Sequence, residues 1–242
     1  MKRIKLLQHG VWICLMTISL LQTSCKKDEE TFSLTQDQAA ALIQNSLKSE
    51  TYGLVALVKE ASGLAADKGV YSTSPGISCG IDYSDNYSAH DSTGINLYYR
   101  YNVNRNYGIV CSGTQPDTFD YALSAKGRNF NDLGSGTDTI NLAWKMGQLV
   151  GSGSYALLVG TFERRGEQML QSVGDQYFST YINFSMANSV DKTSHTLVDG
   201  TIYVTFTATY NTTNYQYEGT ITVADGNAVL KIDDTEYAFV LE

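Results

Sequence analysis

From Gly76 to the C-terminus the apolar residues of this chain recur at every second position, the spacing that lines one face of an extended strand. Ile95, Leu97, Tyr99, Tyr101 and Val103 alternate with Asn96, Tyr98, Arg100 and Asn102, and Phe119, Tyr121 and Leu123 alternate with Asp120, Ala122 and Ser124. The same pattern runs through Ile140-Leu142-Trp144-Met146, Ile182-Phe184-Met186, Ile202-Val204-Phe206-Ala208-Tyr210 and Tyr237-Phe239-Leu241. Turn-formers separate the runs at Ser84-Asp85-Asn86, Gly134-Ser135-Gly136, Gly151-Ser152-Gly153, Asp225-Gly226-Asn227 and Asp233-Asp234. The pattern predicts about eleven strands with short connections: an antiparallel meander in a sandwich or a strongly curved sheet. Within it, the stretch from Tyr155 through Gly160-Thr161 to Arg165-Gly166 resembles that from Tyr215 through Gly219-Thr220 to Asp225-Gly226, which reads as two similar hairpins.

Upstream the period is helical. Thr35 followed by Gln38 has the form of a capping box, and Ala39, Ile43 and Leu47 then recur at four-residue steps. The run falters at Thr51-Tyr52-Gly53 and resumes through Leu54, Leu57, Val58, Ala61, Leu64 and Ala65, ending near Asp67 to Gly69. Helices over about 36–67 thus carry an apolar stripe that must be covered, and the face of the sheet is the expected partner.

The first thirty residues concern address rather than fold. Lys2, Arg3 and Lys5 precede an apolar run from Val11 to Leu21 that is too short to span a hydrocarbon core of about 30 Å, and it reads as a signal peptide. It ends in Thr23-Ser24-Cys25, which resembles the lipobox of bacterial lipoproteins, although Gln22 stands where that family usually has Leu. Lys26-Lys27-Asp28-Glu29-Glu30 resembles the export signal of surface-exposed lipoproteins of Bacteroidota. The resemblance implies a lipidated Cys25 anchored in the outer membrane and facing the cell exterior, since more than one acyl chain makes a lasting anchor. It divides the chain into a signal over 1–24, a lipidated cysteine and acidic tether over 25–34, and one helix-plus-β domain over 35–242.

Removing residues 1–24 takes Lys2, Arg3 and Lys5 with it and leaves 14 basic against 25 acidic residues, a net charge of −11. That balance disfavours nucleic acid as a partner, because such affinity comes largely from Lys and Arg neutralising phosphates, and no nucleic acid is expected. With Cys14 in the signal and Cys25 taken by lipid, Cys79 and Cys111 are the pair left for an oxidising compartment. They sit on strand-like runs and are expected either to form a disulfide or to stay as two buried thiols.

Chemistry is harder to find. Gly76-Ile77-Ser78-Cys79-Gly80 fits the nucleophile-elbow pattern, but the elbow needs a helix after the serine and the following residues read as strand and turn. The histidines of the mature chain, His90 and His195, lie in polar stretches read as loops. Asp82, Asp85, Asn86, His90 and Asp91 are rich in oxygen ligands yet lack calcium-loop spacing, so they read as an acidic loop and no metal or other cofactor is expected. Among the seventeen tyrosines, Tyr98, Tyr99 and Tyr101 stand beside Asn102 and form a candidate binding patch, since exposed rings beside amides stack on sugars or peptides. Asp91-Ser92-Thr93 and Asp138-Thr139-Ile140 resemble Bacteroidota O-glycosylation acceptors, with Ser92 and Thr139 as the hydroxyls.

These features favour a non-catalytic surface lipoprotein that binds a glycan, a peptide or a partner protein. A carrier of a hydrophobic ligand, held in a cavity between curved sheet and helices, is the second reading. It rests on Tyr155-Ala156-Leu157-Leu158-Val159, whose two apolar faces call for burial on both sides. A hydrolase is the third.

Overall fold

The computed structural model describes residues 33–91, 98–132, 134–151, 153–171 and 177–241. Two N-terminal helices, α1 (Gln36–Asn45) and α2 (Leu54–Asp67), precede ten strands, and every strand pairs antiparallel with the next in the chain. The strands are β1 (Asp82–Asp91), β2 (Tyr98–Ser112), β3 (Gln115–Asn131), β4 (Gly134–Gly147), β5 (Tyr155–Leu170), β6 (Tyr177–Asp191), β7 (Leu197–Tyr210), β8 (Thr213–Ala224), β9 (Asn227–Ile232) and β10 (Thr235–Val240). The meander is one continuous sheet, mainly antiparallel hairpins with short turns, and β1 and β10 do not pair to close it. No helix among the described residues is long and apolar enough to cross a membrane.

The helices begin and end where local chemistry directs. Thr35 Oγ1 accepts from the Gln38 amide at 3.2 Å and Gln38 Oε1 accepts from the Thr35 amide at 2.9 Å, satisfying two donors that the first turn leaves without intrahelical partners. After α1 a short 3-10 turn (Ser49–Thr51) leads to Tyr52 in the left-handed region at φ 56°. Gly53 then caps α2 in a space where a Cβ would lie 2.5 Å from the Ser46 carbonyl oxygen and 2.6 Å from that of Lys48, so the reversal has room for glycine alone.

The helices lie against the inner face of the sheet and touch it from edge to edge. At one edge Tyr87 of β1 donates to Glu60 of α2, and in mid-sheet Arg164 of β5 reaches the Thr51 carbonyl at 3.2 Å. At the other, Gln36 donates to the Ile232 carbonyl of β9 at 2.9 Å and Tyr237 of β10 to Asp37 at 2.8 Å. Ten strands laid flat would span about 43 Å at ~4.8 Å per step, so the sheet curls around the helix pair. Its inner face is packed: Leu54, Leu57, Phe119, Trp144, Phe162, Phe184 and Phe206 are buried, with Phe162 and Phe184 stacked at 5.3 Å and Tyr121 and Trp144 at 6.1 Å.

Three expectations need correction. Residues 82–91 form an edge strand rather than an acidic loop, because Tyr83 and Tyr87 turn toward the core while Asp82, Ser84, Asn86, Ser88 and His90 face water, which an edge strand tolerates. The two similar hairpins are not found: Arg165-Gly166 lies inside β5, whereas Asp225-Gly226 is a true two-residue turn with both φ positive. In β5, Ala156 and Leu158 are buried, but Tyr155, Leu157 and Val159 are 48%, 38% and 44% exposed. Among the described residues only one face of the sheet is covered by helices, so strict alternation sends these three outward and the strand is not buried on both sides.

Candidate functional site

Cys79 and Cys111 are joined by a disulfide with Cα atoms 5.7 Å apart, fastening the segment before β1 to the end of β2 beside the Gly80 amide bond to Ile109. Ser78 stands exposed in that segment, which runs into a strand instead of a helix, so the elbow geometry is absent. His90 faces water on β1. His195 is not an exposed loop residue: at φ 61° it turns onto α2, where its Nδ1 lies 3.0 Å from Ser62 Oγ, itself 2.8 Å from Tyr71 Oη. Ser62 is fully buried, and through it the trio fastens the β6–β7 connection to the helix. Asp85 is committed to Arg105 and, among the described residues, no three ligating side chains gather around one point.

Two polar networks lie on the inner face. Glu60 accepts hydrogen bonds from Tyr52 at 2.9 Å, from Tyr121 at 2.7 Å and from Tyr87, and it pairs with Arg105 at 3.1 Å. Burial, and then the Glu60 charge, hold the Tyr52 and Tyr121 hydroxyls far above the ordinary tyrosine range. Deeper in, Asp138 accepts from Arg164 Nε at 2.8 Å, Tyr101 Oη at 2.8 Å and Asn129 Nδ2 at 2.9 Å. Tyr101 reaches Asp138 by crossing Gly127, where a Cβ would lie 2.6 Å from the tyrosine ring and 2.0 Å from the Arg100 carbonyl oxygen. The Asp138 network is enclosed by sheet and helix, whereas the Glu60 network lies near the sheet edge with Glu60 and Arg105 partly exposed; both tie helix to sheet.

The expected tyrosine patch therefore divides. Tyr101 is fully buried and Tyr99 is half-buried, both stacked on Tyr52 at 5.3 Å, while Asn102 projects to solvent from the opposite side of β2. Of Tyr98 only the backbone, opening β2, is described. Thr139 is half-buried on the outer face of β4, between buried Asp138 and Ile140. Cys25 and Ser92 lie outside the described residues.

What the outer face does offer is a furrow over β1 to β6. One concavity of about 510 Å³ is walled by Asn86, Ser88, Asn102, Asn104, Ser124 and Lys126. It shares Asn102 and Lys126 with a second, of about 330 Å³, that adds Arg100, Arg128 and Thr137. This one shares Arg128 and Thr137 with a third, of about 470 Å³, lined by Phe130, Ser135, Glu167 and Tyr177. Phe130 is 37% exposed and Tyr177 60% exposed, so both rings show a face to water. From Asn104 to Arg100 the furrow follows β2 over four residue steps, about 14 Å at ~3.4 Å per residue. Of these residues sequence reasoning placed Asn102 alone in a binding patch; the others share the solvent-facing side of their strands. A separate concavity of about 570 Å³ on the same face has a floor of Gly108, Ala122, Ala143 and Val159 and a rim of Asp82, Asn106, Asp120 and Lys145.

Compared with known proteins, the chain matches no protein family, no curated protein and no solved structure.

Proposed function

We propose that this protein is a non-catalytic surface lipoprotein that binds a glycan in the furrow on the outer face of its sheet. Cys25 carries the lipid, the acidic stretch after it is the tether, and the domain stands outside the outer membrane. The observation that carries the reading is the pair of exposed rings, Phe130 and Tyr177, lining one concavity with Arg128, Ser135, Thr137 and Glu167. A flat ring covers the C–H face of a sugar, while hydroxyl, carboxylate and guanidinium groups reach its hydroxyls; a concave site with a few convergent polar groups is the usual form of such a pocket. Two features favour binding over carriage of a hydrophobic ligand. The space between helices and sheet is filled by packed side chains, and the strand that suggested a lined cavity turns its second apolar face to solvent.

The test is a glycan array probed with the lipidated full chain in nonionic detergent, alongside Phe130→Ala/Tyr177→Ala. The parent is expected to bind a defined set of glycans and the double variant to lose at least tenfold in affinity. Binding that the variant retains, or no bound glycan at all, would overturn the reading.

A further inference from the structure

The register of the strands places basic residues together in a way that composition conceals. Reading across the outer face, one row runs His90, Arg100, Arg128, Thr137, Glu167, and the next runs Ser88, Asn102, Lys126, Thr139, Arg165. Arg100, Lys126, Arg128 and Arg165 are all exposed, and Glu167 is the single carboxylate in the ten positions. Arg100 and Arg128 are direct partners across β2 and β3, an arrangement that works against the sheet because like charges held opposite one another repel. The whole chain has a formal charge of −8, so this cluster stands against the sign of the molecule. Two other arginines turn the opposite way, into the fold: Arg164 pairs with Asp138 in the core, and Arg105 pairs with Glu60 and Asp85 under the first two strands.

The concavity walled by Arg100, Lys126 and Arg128 adjoins the one that displays Phe130 and Tyr177. Guanidinium groups match carboxylate and sulfate oxygens in a two-point fit, and a local positive field on an acidic protein selects the anion it meets there. Resting on the glycan reading above, we infer that the glycan is anionic, a polysaccharide bearing carboxylate or sulfate groups, with its acidic groups over Arg100, Lys126 and Arg128 and a sugar face on Phe130 and Tyr177. Solvent-exposed charge pairs are screened by salt, so the affinity falls as ionic strength rises.

The experiment measures binding of the lipidated full chain in nonionic detergent to four probes: heparin, polygalacturonate, neutral dextran, and phosphatidylglycerol-containing vesicles. One of the two acidic polysaccharides is expected to bind, to weaken at least tenfold between 50 and 300 mM NaCl (chosen as roughly a twofold change in screening length), and to weaken at least tenfold in Arg100→Gln/Arg128→Gln. Both side chains are exposed, so the variant is expected to stay folded, and its thermal midpoint, measured beside the binding, separates a loss of binding from a loss of fold. If a neutral glycan on the array binds with the same affinity in both proteins at every salt concentration, the anionic inference fails and the glycan reading stands. Vesicle binding equal to that of the acidic polysaccharides overturns the inference in favour of a lipid headgroup site. If neither the array nor these polysaccharides yield binding, both readings fall together.

Discussion

Replacing Asp138 with alanine removes the acceptor on which the buried network beneath the furrow converges. Tyr101 Oη, Asn129 Nδ2 and Arg164 Nε approach it at 2.8, 2.9 and 2.8 Å, and Gln168 Nε2 lies at 3.4 Å. The carboxylate is 0% exposed and the Arg164 side chain 2%. In the variant Arg164 keeps Tyr101 Oη at 2.8 Å and the Thr51 carbonyl at 3.2 Å but loses its counter-charge. Leaving one member of a buried pair costs about 3–5 kcal/mol, which dominates the ~1–3 kcal/mol of each neutral donor left short of a partner. Urea unfolding of Asp138→Ala should therefore show a loss of about 3–5 kcal/mol with an unchanged m-value. Removing both charges in Asp138→Ala/Arg164→Met should cost less than Asp138→Ala alone, because no unpaired ion remains. A loss below about 1 kcal/mol, or a double variant whose costs simply add, would refute the claim that the pair is dry and mutually dependent.

The remaining predictions concern other parts of the same frame. Tyr52 and Tyr121 are held protonated by burial and by Glu60, so above about pH 10 the unfolded chain releases protons that the folded chain keeps; stability is fully present below that pH and falls by up to ~1.4 kcal/mol per pH unit for each of the two, a slope that Tyr121→Phe should reduce in alkaline unfolding. Absorbance showing every tyrosine ionising near pH 10 in a folded protein would contradict this. Cys79→Ser/Cys111→Ser opens a link across 32 residues and should lower stability by roughly 3.5 kcal/mol, read from denaturant unfolding. Gly127→Ala drives a methyl into the Arg100 carbonyl and the Tyr101 ring and should cost about 1–3 kcal/mol, whereas a measured cost near zero would mean that Tyr101 does not cross there. Val159→Glu should change stability by less than about 0.5 kcal/mol, since that side chain already faces solvent; a cost of several kcal/mol would restore the two-sided burial that the fold denies.

Local chemistry made much of the architecture readable. Thr35 with Gln38, the break at Tyr52-Gly53, the alternation on β2, β3, β6 and β7 and the Asp225-Gly226 turn each express a short-range rule, and each appears at its place in the structure. Residues 82–91 were harder, because an edge strand paired on one side can be built from Asp, Asn and Ser that propensity assigns to loops. The furrow required register. The inner residues of β2 and β3, such as Tyr101 and Val103 against Leu123 and Ala125, are all odd-numbered, yet the two-residue connection at Gly113-Thr114 pairs odd with even positions. The bulge at Val110/Cys111 absorbs the mismatch and brings Arg100 opposite Arg128 instead of Gly127. The tyrosine patch divides for a related reason: a period of two sends Tyr101 inward and Arg100 and Asn102 outward.

A crystal structure of the protein with the tightest glycan from the array tests the central claim most directly. The account predicts sugar density on the outer face, against Phe130 and Tyr177 and continuing toward Arg128, with the helices and inner rings where they now stand. Ligand density between α2 and the inner face of the sheet, with Tyr101 or Trp144 displaced to admit it, would contradict the account and make the protein a carrier.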